Sequence, residues 1–177
     1  MILGIDPGMA SLGYSVLTLD GELVNAGVIR TEKINKKQKN FHAVSSDVER
    51  LRYILRALKR VLADHEIKLM AIEMPSFHPK FAKQVVRQIS LVWGAMVGLS
   101  EEIRCPIVQV SPQEARKNLL GKSQGSKEDL QKALCGKLKH ASYFAEKFPA
   151  TQREHLFDAC AVAFAAINSE MAMVLAR

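Results

Sequence analysis

The sequence predicts an α/β domain built on one five-stranded mixed sheet, three antiparallel strands followed by parallel ones, flanked by helices. Two observations point there. The first thirty residues read as three short strands with no helix between them, an antiparallel meander. Beyond them, short apolar runs alternate with long segments of helical period, the signature of crossover connections. A purely doubly wound fold would alternate from the first strand onward.

Ile2 to Asp6 is a continuous apolar run ending in an acid, and Pro7-Gly8 stops it. Gly13 to Thr18 is a second strand, and Asp20-Gly21 supplies the turn into a third, Glu22 to Arg30. From Phe41 to His65, Val44, Val48, Leu51, Ile54, Leu55, Leu58, Val61 and Leu62 recur at helical spacing. Lys68 to Met74 is a fourth strand, closing on Glu73 and ended by Pro75. A second helix runs from Phe81 to Arg104 and is apolar around almost its whole circumference, so it needs cover on both sides, the core on one and a second subunit on the other. Cys105 to Val110 is the fifth strand. Ser111-Pro112-Gln113-Glu114 then opens a helix with an N-cap, a proline in the first turn and an acid three residues after the cap. Ser126 with Asp129 forms a second capping box, and Thr151 to Glu154 a third, at the start of a terminal helix rich in alanine.

The chain has 177 residues and is 48% hydrophobic, enough for one domain spanning 1–177 with a sizeable core. No apolar run is long enough to span a bilayer, and Asp6 interrupts what would be the apolar region of a signal peptide. Cys105, Cys135 and Cys160 are an odd number without metal-type spacing, which fits a reducing, cytoplasmic setting. The formal charge is +7. The excess is concentrated: nine Lys/Arg stand against four acids between Pro112 and Arg153, and Lys33, Lys36, Lys37 and Lys39 form a second cluster. Such asymmetry suits a polyanionic partner, although a basic surface serves solubility equally well.

The carboxylates carry the sharper signal. A single acid at a strand end is ordinarily a turn or helix cap. Two, Asp6 and Glu73, at the ends of two buried strands would meet if those strands are parallel neighbours, and such a pair requires a cation. On the terminal helix, Glu154, His155 and Asp158 share a face, and Asp158 lies past the first turn, where a helix-dipole role no longer explains it. Three carboxylates without a thiolate favour Mg²⁺ or Mn²⁺ over zinc. With a basic surface, the chemistry is metal-assisted phosphodiester hydrolysis, in which two ions clamp the attacking and leaving oxygens.

"LGIDPGMASLGYSVL", "AIEMPSF" and "EHLFDACAVAFAA" resemble, in order, the motifs of the RuvC family of Holliday junction resolvases, within the RNase H-like superfamily. The first motif alone is also similar to the phosphate-loop strand of actin-like kinases, but this chain lacks the second half such a cleft needs. The resemblance implies an RNase H-like fold and metal ligands at Asp6, Glu73 and Asp158, with His155 at the remaining active-site position, which is an acid in some members and a histidine in others. It also implies basic residues near the scissile phosphate, best matched by Arg116 and Lys127 with Lys117 and Lys122 beside them, and a base-stacking aromatic at Phe77. The implied activity is that of a homodimeric, Mg²⁺-dependent endonuclease, two ions per site, nicking four-way DNA junctions in two symmetric strands. A nuclease of broader taste for flaps, forks and three-way junctions is the alternative, and a non-catalytic junction-binding protein another. Whether a branch-migration motor is a partner stays open at this level.

Overall fold

The computed structural model describes residues 1–32, 43–75 and 83–175. Five strands, β1 (Ile2–Asp6), β2 (Ser11–Leu17), β3 (Leu23–Arg30), β4 (Leu69–Glu73) and β5 (Ile107–Val110), form one sheet in the order β3-β2-β1-β4-β5. β1, β2 and β3 are antiparallel, whereas β1–β4 and β4–β5 are parallel. This is the mixed sheet the sequence predicts. The helices are α1 (Ala43–Asp64), α2 (Lys83–Glu102), α3 (Pro112–Leu120), α4 (Lys127–Lys137), α5 (Ala141–Glu146), α6 (Ala150–Ile167) and α7 (Glu170–Leu175).

Strand alternation sorts the sheet residues between two cores. Leu3, Ile5, Leu12, Val16, Met70 and Ile72 pack on α1 and α2 through Ile54, Leu58, Val61, Val92, Met96 and Leu99. Ile2, Leu17, Leu69, Ala71 and Val110 face the opposite way, onto α6 and the short helices around it. Among the described residues no helix is long and apolar enough to cross a membrane.

Several boundaries differ from the sequence reading. The fifth strand starts at Ile107 rather than Cys105, because Pro106 has no N–H to give the ladder, although its carbonyl still accepts from Met70 N–H at 2.9 Å. α2 ends at Glu102, and Arg104 turns the chain with a φ of 53°. The capping boxes at Ser111 and Ser126 form as expected, each with a reciprocal pair of bonds. The one at Thr151 does not: α6 starts at Ala150, Pro149 is its N-cap residue, and the Pro149 carbonyl takes the N–H groups of Gln152 and Arg153. The terminal helix also breaks at Asn168 before α7, and the short α5 had no clear period of its own.

α6 approaches the sheet closely because glycines face it. A Cβ on Gly4 would lie 2.3 Å from the Ala159 carbonyl oxygen, and one on Gly13 2.0 Å from that of His155. Ser15, fully buried between them, donates its hydroxyl to Ala159 O at 2.9 Å. Backbone rests on backbone, and the first turns of α6 are thereby fixed over the ends of β1 and β2.

Candidate active site

The register of β1 against β4 runs from Ile2 opposite Leu69 to Ile5 opposite Ile72, and the next residues along the two strands are Asp6 and Glu73. With a side-chain period of two, Asp6 follows Ile2 and Gly4, and Glu73 follows Leu69 and Ala71. Both carboxylates therefore face α6. From above, α6 contributes His155 and, one turn on, Asp158. His155 Nδ1 lies 2.6 Å from Asp6 Oδ2. A carboxylate oxygen only accepts, so the ring nitrogen donates.

Burial and crowding of like charge dominate the electrostatics. Glu73 is pushed up to about 8, first by burial and then by the charges of Asp6 and Asp158, with Arg116 opposing. Asp158 rises to about 6, again chiefly by burial, then by Asp6 and Glu154. The hydrogen bond to Asp6 raises His155 above the ordinary imidazole value, so the imidazolium partly neutralises the acid group.

Two cations border the acids. The Ser111 cap starts α3 directly beyond β5, and Arg116 then lines a narrow cleft with Glu73, Ala115, Asp158 and Ala161. The Ser126 cap makes Lys127 the first residue of α4, where its ammonium pairs with Glu154 of α6 and acts on Asp158. Lys117 is exposed one residue along α3, and Lys122, in the turn between α3 and α4, adds its charge near Asp129, whose carboxyl the Ser126 cap bonds chiefly hold down. The structure thus gathers Asp6, Glu73, His155, Asp158, Arg116 and Lys127 and leaves Lys117 and Lys122 at the margin. Phe77 and the lysine cluster from Lys33 to Lys39 lie outside the described residues. Glu154 is the participant to which the sequence assigned a cap and a shared helix face but no place in the site. Its position four residues before Asp158 was the available signal, but the partner comes from a different helix.

Among the described residues no three His, Cys, Asp or Glu side chains are already closed around one point as a metal group. The donor chemistry nonetheless fits a hard divalent cation: three carboxylates and one imidazole, two of the carboxyls held above their ordinary values by burial and then by mutual repulsion. A divalent cation would relieve that repulsion more completely than the half-buried His155 does.

Residues 2–166 match the family model described as crossover junction endodeoxyribonuclease RuvC. Among curated proteins, the chain is 29% identical over 133 residues to a crossover junction endodeoxyribonuclease RuvC of Chlorobium chlorochromatii; the match takes in 73% of this chain and 63% of that relative's length. Its fold is similar to that of Thermus thermophilus RuvC, with a TM-score of 0.73 at 23% identity over 97% of this chain and 96% of the other. It is also similar to the T. thermophilus RuvC solved in complex with a Holliday junction substrate, with a TM-score of 0.71 at 24% identity over 93% and 90% of the two chains. A model match across nearly the whole chain places this protein in the RuvC family of crossover junction endodeoxyribonucleases.

Proposed function

We propose that this chain is a single-domain, metal-dependent endonuclease that resolves four-way DNA junctions by paired, symmetric nicks. The observation that carries the reading is the convergence of Asp6, Glu73 and Asp158 on the α6 face of the sheet, where burial and mutual repulsion raise Glu73 and Asp158. The basic surface and family membership supply the substrate class.

Asp6, Glu73, Asp158 and His155 would hold the metal, Mg²⁺ with Mn²⁺ as the alternative, two ions per site. Bound there, the metal supplies Lewis acidity and a water activated for in-line attack on phosphorus. Asp6 and Glu73 sit on rigid strand ends and would fix the position of the metal. His155 orients Asp6 through its 2.6 Å contact, and because metal ligands must be deprotonated, metal affinity would rise with pH. Arg116 and Lys127 flank the acids and stabilise charge that develops on the phosphoryl oxygens. Lys117 and Lys122 extend the track for backbone phosphates, and Phe77 is the candidate for stacking on a base at the junction centre.

A junction with two-fold symmetry calls for a two-fold protein, and α2 exposes Leu91 and Val97 away from its buried face, a surface suited to a homodimer. The deciding experiment is metal-dependent cleavage of a mobile four-way junction with mapped nicks, beside a flap and a three-way junction. Symmetric nicks on the four-way substrate alone support junction resolution; equal cleavage of all three favours the broader branched-DNA nuclease.

A further inference from the structure

Lys127 occupies a position that α4 does not need it to occupy. The first turn of a helix disfavours a cation, and α4 satisfies its own dipole and cap with Glu128, Asp129 and Ser126. Glu154 is equally unneeded by α6: it would complete a capping box with Thr151, but the Pro149 carbonyl serves the start of the helix instead. What joins the two is their ion pair across the mouth of the acid group, with both side chains about half exposed. Glu154 holds Lys127 above its ordinary value and also adds its own negative charge to Asp158 and His155.

We propose that Glu154 is a positioning residue that tethers Lys127 beside the acids and withholds that cation from DNA until a phosphate seated in the site displaces the carboxylate. The proposal rests on the nuclease reading above. An exposed ion pair is easily exchanged, so the tether yields to a phosphodiester bound in register but discourages loose contact with any passing duplex. When Lys127 turns to DNA in the wild type, Glu154 is left uncompensated and recruits a counterion, which cancels one released from the DNA.

The test is binding of a four-way junction and of linear duplex across a salt series, in the absence of divalent metal, by wild type, E154Q, K127Q and the double variant. With the tether, E154Q binds duplex roughly three- to tenfold more tightly at low salt and has a slope of log affinity against log salt steeper by about 0.9. It also loses part of its preference for the junction, and K127Q abolishes all three differences. Unchanged slope and preference in E154Q would overturn the proposal, as would the same E154Q effect persisting in the K127Q background, which would make Glu154 a general repulsive charge. Metal-dependent cleavage by the wild type is scored in parallel. If it cuts the junction and the slopes coincide, only the tether fails; if it cuts no branched substrate, the nuclease reading fails and the tether with it.

Discussion

Asp6 is the residue whose removal separates chemistry from binding. Asp6→Asn keeps shape and hydrogen bonding to His155 but deletes a charge, so cleavage should fall by roughly 10³-fold or more while junction binding in metal-free buffer is kept or strengthened. Nicking and gel-shift assays on one preparation check both halves. Glu73 and Asp158 make a second prediction, on stability. An acid raised in the folded state keeps a proton that the unfolded chain has already released. Between its unfolded value near 4.5 and its folded value of about 8, Glu73 therefore makes stability fall as pH rises, and Asp158 acts the same way from 3.8 to about 6. His155, raised by Asp6, has the same sign, because its stabilising charge is lost at high pH. In chelator the melting temperature should drop by roughly 5–10 °C from pH 5 to pH 8, and millimolar magnesium should remove most of that drop. A melting temperature insensitive to magnesium at pH 8 would contradict a metal role for these acids.

At the scale of elements, α6 is the part the site cannot do without, since its seat on the sheet is backbone against backbone. Gly13→Ala places a methyl 2.0 Å from the His155 carbonyl and forces the start of α6 off β2; we expect a loss of about 2–4 kcal/mol in chemical denaturation and a parallel loss of cleavage. Ser15→Ala removes the 2.9 Å bond to Ala159 and the hydroxyl's bond to the Cys160 thiol, and should cost about 1–3 kcal/mol with the site geometry retained. Much of this level was legible in the sequence, for identifiable reasons. Asp6 and Glu73 could be found because acids terminating apolar runs are chemically conspicuous, and the boxes at Ser111 and Ser126 because a cap is a local pattern. The start of α6 was misread because the helix begins after Pro149, which has no side-chain acceptor and so leaves no cap pattern to read. Least legible was the buried cluster in which Asp47 accepts from Gln88 and pairs with Arg50 and Arg87, while Arg50 reaches Thr31. Its bonded partners stand up to 41 positions apart, and Asp47 meets Gln88 only because α1 and α2 pack on the same face.

For the molecule as a whole, the two faces of the sheet divide the labour. The α6 face carries the acids and, on α3 and α4, the cations that border them, while the other face ends in α2 with Leu91 and Val97 uncovered. Val97→Glu lies on that outer side, 46% exposed, and should leave the folded chain intact; on the proposed homodimer it shifts sedimentation from dimer to monomer. Paired nicking should then give way to single nicks. The seating of α6 also bears on the order in which the protein comes apart. Ala159, Cys160 and Ala163 are sealed against β1 and β2, so their amides should exchange with deuterium only through global opening. The exposed start of α4 is free to open far earlier, and the cationic side of the catalytic cleft can breathe while its acidic floor stays closed.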